Sequence, residues 1–145
     1  MALKADGTVW AWGSGALIPW QASNLANIVA IESGLNHFLA LKNDGTVWAW
    51  GNNSYGMLGD GTTSYQETPV QVVGLSNVTA ISASTTHSLA LKGDGTVWAW
   101  GFNANGELGN GTTILRTTPT QVIGLSDVAA VSCMRSRAER RGTNP

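Results

Sequence analysis

Charge, cysteine and long apolar runs are all scarce in this sequence. Only 12% of its 145 residues are charged and the formal net charge is −1, so nucleic-acid binding driven by basic patches is not expected. The single cysteine, Cys133, excludes an internal disulfide framework and a cysteine-based zinc cluster. No run of roughly 18 apolar residues occurs, and a membrane-spanning helix is therefore not expected.

Two further features are missing: a signal segment and a helical period. Met1 is not followed by a basic start and an apolar run of the signal-peptide type, so a cytoplasmic location is the default expectation. No stretch repeats its apolar residues with the spacing of an amphipathic helix. The 18 glycines and 7 tryptophans instead favour a turn-rich, all-β protein.

One stretch organises the chain and occurs three times. It reads Ala-Leu-Lys-x-Asp-Gly-Thr-Val-Trp-Ala-Trp-Gly and occupies residues 2–13, 40–51 and 90–101. An apolar run, an Asp-Gly pair and a β-branched and aromatic run predict a β-hairpin. Gly45 and Gly95 would supply the positive φ that the turn needs.

The tryptophan pairs have two interpretations. Trp48 and Trp50 lie two residues apart, as do Trp98 and Trp100, so each pair shares one face of a strand. Val and Ala occupy the other face, and an entirely apolar strand is expected to be covered on both sides. We therefore favour core packing between repeats. The alternative is an exposed rim on which sugars or peptides could stack.

The spacing of the repeat is regular except in its first interval. Trp50 and Trp100 are 50 residues apart, whereas Trp12 and Trp50 are 38 apart. The 12 missing residues correspond to a Gly-rich loop that occurs at 51–63 and again at 101–113. A period of about 40–50 residues with four short strands is typical of propeller blades.

Strands are predicted from the apolar runs between turn signals. In the full interval they cover 70–73, 78–82, 87–92 and 96–100, and two more are expected at 120–123 and 128–132. Residues 14–27 are expected to form a short connection, which Pro19 and Trp20 interrupt.

The chain divides into repeats and a tail. The repeats cover 1–133, as a partial unit (1–13), a short unit (14–50), a full unit (51–100) and a truncated unit (101–133). Residues 1–133 carry a net charge of −4, whereas 134–145 carry +3 with four arginines and one glutamate. This basic, apolar-poor tail is predicted to be disordered.

Recurring residues that could suggest chemistry are better explained by structure. His37 and His87 occupy equivalent places and are expected to bridge strands or blades, since two histidines on different blades make no metal site. The Gly-rich loop lacks the Gly-Lys-Thr/Ser ending of a phosphate loop. The aspartates before the turn glycines each stand alone, unlike calcium ligands. No catalytic residue, cofactor or metal site is predicted.

The full motif string identifies a family resemblance. It runs Trp-Gly, Asn-x-x-Gly-x-Leu-Gly-x-Gly-Thr-Thr, Pro-x-x-Val, a strand, and His-x-x-Ala-Leu-Lys-x-Asp-Gly-x-Val-Trp-x-Trp-Gly. This string resembles the regulator of chromosome condensation repeat family over about residues 2–133. The resemblance implies an all-β, partial β-propeller of about two and a half to three four-stranded antiparallel blades.

The resemblance also frames the function. The best-known member of the family is a seven-bladed propeller that acts on the small GTPase Ran as a guanine-nucleotide exchange factor and docks on chromatin, while many members are binding scaffolds. We expect a non-enzymatic protein-interaction scaffold. Exchange activity on a small GTPase is the first alternative, and an extracellular carbohydrate or surface binder is the second.

A protein partner is therefore expected, without membrane or nucleic-acid binding. Self-association through open blade edges is a further expectation. The candidate binding positions lie in the two Gly-rich loops: Asn53, Tyr55, Asp60, Asn103, Asn105 and Glu107.

Overall fold

The computed structural model describes residues 1–13 and 16–133, and these contain β-strands and no helix. The strands are β1 (Ala2–Leu3), β2 (Val9–Gly13), β3 (Ala16–Gln21), β4 (Ile28–Ser33), β5 (His37–Lys42), β6 (Val47–Gly51), β7 (Gln66–Gln71), β8 (Val78–Ala83), β9 (His87–Lys92), β10 (Val97–Gly101) and β11 (Arg116–Gln121). The tail predicted to be disordered, 134–145, lies outside the described residues.

The strands form three antiparallel sheets that follow one another along the chain. Sheet 1 has the order β1-β2-β3, sheet 2 has β4-β5-β6-β7 and sheet 3 has β8-β9-β10-β11. Each sheet is thus a meander of neighbouring strands, as in a propeller blade. The predicted all-β, partial-propeller fold is confirmed.

The Asp-Gly stretches form the predicted hairpins. In sheet 2, β5 and β6 pair with Leu41 opposite Val47 and Phe38 opposite Trp50. Gly45 in the turn has φ +82°, a left-handed conformation that side chains disfavour. The turn is closed by the N–H of Gly45, which donates to the carbonyl of Lys42 at 3.0 Å.

The outermost strand of each sheet differs from the sequence prediction. A strand was expected at 70–73, but β7 covers Gln66–Gln71 and pairs with β6, placing Val70 opposite Ala49. Likewise β11 covers Arg116–Gln121 instead of 120–123. These strands therefore extend the preceding hairpin, so the sheets are offset from the sequence repeats.

The interval 14–27, expected to be a short connection, contains a strand. Ala16–Gln21 forms β3 and pairs with β2. Pro19 fits here because β3 is an outer strand with a partner on one side only, where a missing N–H is tolerated. Pro69 and Pro119 occupy the same place in β7 and β11.

The strand predicted at 128–132 is also absent, since no strand pairs with this segment among the described residues. Hydrogen bonds connect both ends of this segment to sheet 3. The N–H of Val128 donates to the carbonyl of Gly95 at 3.2 Å, and the N–H of Cys133 donates to Ser82 Oγ at 2.9 Å.

The core lies between successive sheets. One cluster joins sheets 2 and 3 and includes Leu39, Leu58, Val72 and Trp100, all at most 1% exposed. Trp50 belongs to a second cluster, between sheets 1 and 2. Val47 and Ala49 are fully buried as well, so both faces of β6 are covered.

The two tryptophans of a pair are not equally buried. Trp50 and Trp100 are core residues, whereas Trp48 and Trp98 are half-buried. In sheet 1 the equivalent of Trp50 is Trp12, which is 48% exposed. Core packing therefore describes Trp50 and Trp100, but not the half-buried and exposed tryptophans of the repeats.

Candidate functional site

The recurring polar residues of the hairpins bond to one another. In the hairpin of sheet 2, Asp44 Oδ1 accepts hydrogen bonds from the N–H and hydroxyl of Thr46, at 2.9 and 2.6 Å. Trp48 Nε1 in turn donates to Thr46 Oγ1, and Lys42 Nζ lies 5.4 Å from the centre of the Trp48 ring. The bond from the Thr46 hydroxyl is the main reason that the pKa of Asp44 is lowered.

Sheets 1 and 3 repeat this arrangement. The equivalent residues are Lys4, Asp6, Thr8 and Trp10, and Lys92, Asp94, Thr96 and Trp98. These aspartates are turn residues whose Oδ1 atoms already accept hydrogen bonds within the turn.

The Gly-rich loop of sheet 2 is built around Asn53, a candidate binding position. Its side chain is buried, Oδ1 accepts from the N–H of Leu58 at 3.0 Å, and Nδ2 donates to the carbonyl of Thr62 at 3.0 Å. Asp60 accepts from Asn53 Nδ2 and Gln66 Nε2. Hydrogen bonds from Thr62, Asn53 and Gln66 lower the pKa of Asp60 against the opposing effect of burial.

The loop of sheet 3 has the same design. Asn103 is fully buried and bonds to the N–H of Leu108 and the carbonyls of Thr112 and Ile114. Asn53 and Asn103 therefore hold the loops in shape and present no free atoms to a partner.

The other candidate positions lie nearer the surface. Tyr55 is exposed, and its ring packs edge-on against that of Phe102 with 5.1 Å between ring centres, a contact between the loops of sheets 2 and 3. Asn105 is exposed and donates from its backbone and side-chain nitrogens to Glu107. Their binding role stays a prediction.

A chain of hydrogen bonds connects sheets 2 and 3. The carbonyl of Met57 accepts from Trp100 Nε1 at 2.8 Å and from Ser88 Oγ at 2.9 Å. Because the single hydroxyl hydrogen of Ser88 points to Met57, Ser88 Oγ accepts from His37 Nε2, 3.0 Å away. His37 thus carries its proton on Nε2 and bridges the two sheets.

The two histidines differ in their surroundings. His37 is fully buried, and burial, helped by the charge of His87, lowers its pKa to about 4. His87 is less buried and its Nδ1 lies 2.8 Å from Ser84 Oγ, within the same sheet. Burial lowers the pKa of His87 too, although Glu107 opposes the shift.

A cleft lined by several aromatic residues lies between sheets 1 and 2, where the Gly-rich loop is missing. The cleft has a volume of about 470 Å³. Five rings line it, and these define the aromatic cleft: Trp12, Trp20, Phe38, Trp50 and Tyr65. Trp12, Trp20 and Tyr65 are 48%, 38% and 69% exposed, so the cleft is accessible from solvent.

Trp50, one of the rings that line the aromatic cleft, has an unusual ring nitrogen, Nε1. It is buried and has no hydrogen-bond partner among the described residues. Phe38 stacks on the Trp50 ring with 5.4 Å between ring centres. Sequence reasoning missed Trp12, Trp20 and Phe38 as site residues, although the shortened first interval marks where the cleft lies.

Other kinds of site are not found in the part of the chain that the structure describes. Residues 1–13 and 16–133 contain no group of three His, Cys, Asp or Glu side chains placed to hold a metal ion. Over the same residues, no helix has the length and apolar character needed to cross a membrane.

Comparison with known families decides the ancestry of these repeats. A model described as the regulator of chromosome condensation (RCC1) repeat matches residues 44–91 and 94–134, and a second model of the same description matches 28–56 and 78–107. The chain belongs to this family. The resemblance noted from the motif string is thereby confirmed. None of the curated protein sequences compared with the chain matches it.

Solved structures share the fold of this RCC1-repeat chain. Human WBSCR16 is 22% identical, with a TM-score of 0.71 over 80% of this chain and 31% of its own length. Prp20p from Saccharomyces cerevisiae is 24% identical, with a TM-score of 0.72 over 88% and 37%. The structure of Kap60 bound to yeast RCC1 (Prp20) matches at 22% identity, with a TM-score of 0.72 over 83% and 34%. The chain thus spans about a third of the length of these structures.

Proposed function

We propose that this chain is a non-enzymatic protein-interaction scaffold, an arc of a regulator-of-chromosome-condensation-like propeller. The observation that carries the proposal is the aromatic cleft. Exposed rings gathered around one cleft are typical of a surface that buries apolar groups of a partner.

The state of the recurring polar residues supports the same function. Oδ1 of Asp44 and the side-chain amides of Asn53 and Asn103 form hydrogen bonds within their own turns and loops. Groups held in this way keep a rigid surface in shape, and a rigid surface loses little conformational entropy on binding.

A site-specific cross-linking experiment tests the scaffold function. The photoreactive residue benzoylphenylalanine replaces Tyr65 in the aromatic cleft, Tyr55 in the Gly-rich loop, or Val29, an exposed control on β4. A discrete protein cross-linked from Tyr65 or Tyr55 but not from Val29, which then binds the purified chain, is the expected result. No such protein from either tyrosine would contradict the proposal.

Exchange activity on a small GTPase is the alternative with family support. Prp20p is described with its binding properties to Gsp1p and histones, but at 24% identity its likeness supports the fold alone. A nucleotide-release assay with a small GTPase such as Ran separates the two functions. Release accelerated by the purified chain would replace the scaffold proposal with an exchange factor.

Carbohydrate binding is the second alternative, because exposed rings such as Trp12 and Tyr65 can also stack on sugars. Titration with soluble oligosaccharides tests it. Saturable binding of a sugar, with loss on Tyr65→Ala, would favour this function over binding of a protein partner.

We also propose self-association through open sheet edges. Within the described residues β1 pairs only with β2, and residues 128–132 have no strand partner. Unpaired backbone groups of this kind favour pairing with a strand of another copy. Light scattering at micromolar concentration should give a mass above 15.2 kDa; a monodisperse species of that mass would contradict the proposal.

A further inference from the structure

We propose that the aromatic cleft binds a tight, glycine-flanked turn of a protein partner, which presents one backbone carbonyl to Trp50 Nε1 and an aliphatic side chain to the surrounding rings. The proposal rests on the scaffold function and names the chemistry of the partner segment.

The chain itself carries the template for this ligand. Between sheets 2 and 3, the Gly-rich loop inserts Met57 and Leu58, which are 4% and 0% exposed. The carbonyl of Met57 accepts from Trp100 Nε1 at 2.8 Å. A turn with an aliphatic residue thus fills the space beside Trp100.

Trp50 is the counterpart of Trp100 one sheet earlier. Both are the second tryptophan of Val-Trp-Ala-Trp-Gly, in β6 and β10 respectively. The loop that covers Trp100 spans 52–65 between β6 and β7, whereas β2 and β3 are separated by residues 14–15 alone. That short connection has no counterpart of Met57.

The consequence is an unsatisfied donor on a ring that lines the cleft. Trp50 is 2% exposed, and its Nε1 is buried without a partner among the described residues, so a ligand carbonyl reaches this donor only when the neighbouring rings move apart. A buried N–H without an acceptor is costly, so a ligand that supplies a carbonyl gains more there than at a solvated surface.

Phe38 adapts the cleft to an external ligand. Phe38 is opposite Trp50 in sheet 2, as Ser88 is opposite Trp100 in sheet 3. Ser88 is the second donor to the Met57 carbonyl, and in sheet 2 a ring replaces this donor. Phe38 stacks on Trp50 and faces the cleft. The ligand therefore receives one hydrogen bond and a larger aromatic surface, which suits an aliphatic side chain.

The template also specifies glycine in the ligand. Gly59 has φ +69°, and a Cβ on it would lie 2.8 Å from Trp100 Nε1. A turn that approaches Trp50 as closely needs glycine two residues after the residue that supplies the carbonyl.

The experiment uses a probe taken from the chain. A head-to-tail cyclised peptide of residues 52–63 is titrated into the ¹⁵N-labelled 145-residue chain, and the indole N–H signals are followed by NMR. The Trp50 signal should move downfield and saturate, while the Trp100 signal, already bonded to Met57, should stay. The same peptide with Gly59→Ala should produce no saturable shift.

Two variants of the labelled chain sharpen the test. Trp50→Phe keeps an aromatic ring and removes the donor, and it should weaken peptide binding about three- to tenfold, the worth of one hydrogen bond. Trp98→Phe is the matched control, since Trp98 Nε1 bonds to Thr96 outside the cleft. It should leave the affinity unchanged.

Each outcome bears on the proposal. An unmoved Trp50 signal at millimolar peptide, or equal affinity in Trp50→Phe and wild type, would overturn it. A Trp50 shift with an oligosaccharide and none with the peptide would assign the cleft to a sugar and overturn it as well. A protein cross-linked from Tyr65 together with an unmoved Trp50 signal would retain the scaffold function and reject only this ligand.

Discussion

Replacing Gly45 with alanine tests the contact between successive sheets at a single atom. Gly45 has φ +82°, and a Cβ there would lie 3.0 Å from the backbone N and Cα of Asn77, just before β8. The carbonyl of Gly45 also accepts from the N–H of Val78 at 3.1 Å. Alanine therefore strains the turn and pushes against a rigid neighbouring strand.

Two effects set the magnitude. A left-handed conformation costs an alanine about 1–2 kcal/mol, and overpacking against backbone adds about 1 kcal/mol or more. Gly74 isolates the first effect, because its φ is +73° and no atom lies within 4 Å of the position that a Cβ would take. Gly45→Ala should thus lose about 2–3 kcal/mol of unfolding free energy and Gly74→Ala about 1–2 kcal/mol.

Urea unfolding followed by tryptophan fluorescence measures both losses. With a slope of about 2 kcal/mol per molar urea, Gly45→Ala should lower the midpoint by about 1 M or more and Gly74→Ala by less. Equal losses in the two variants would refute the close approach of the turn to Asn77. A wild-type midpoint in Gly45→Ala would refute the turn conformation itself.

Three further predictions concern buried polar groups. Trp100→Phe should lower the unfolding free energy by about 1–2 kcal/mol more than Trp50→Phe does. Both variants lose the same ring atoms, but only Trp100→Phe loses a hydrogen bond, to Met57. Urea unfolding midpoints of the two variants measure the difference. The unfolding free energy should fall by up to about 3 kcal/mol as the pH drops from 6.5 to about 4. The reason is that His37 takes up its proton near pH 6.5 in the unfolded chain but only near pH 4 in the folded chain. Urea midpoints across this pH range measure the loss. Asn53→Ala should cost about 2–4 kcal/mol by leaving two backbone groups of its loop unpaired, with faster proteolysis in that loop.

Each of these predictions has its own control or contradicting result. Equal losses in the two tryptophan variants would contradict the difference in hydrogen bonding. His37→Gln should flatten the pH dependence, and an unchanged slope would contradict the assignment. Asn105→Ala removes an exposed asparagine from the equivalent loop of sheet 3 and should leave stability nearly unchanged.

The sequence alone was sufficient for the hairpins, because their determinants are local. Asp44 and Thr46 bond across two residues, and Gly45 supplies the positive φ that closes the turn. Repetition of such a local unit at a fixed spacing also identified the family. The prediction of all-β structure and propeller ancestry therefore needed no knowledge of long-range contacts.

Strand grouping and burial were decided only by the tertiary structure. The repeat has a period but no fixed starting point, so it could not show that β7 completes the hairpin before it; backbone pairing between Ala49 and Val70 decides that. Trp50 and Trp100 have the same local sequence, yet one donor is bonded and the other has no partner among residues 1–13 and 16–133. The difference arises because Met57, 43 residues from Trp100 in the chain, supplies a carbonyl to one site, whereas no described residue supplies one to the other. The five residues around each tryptophan do not encode this difference.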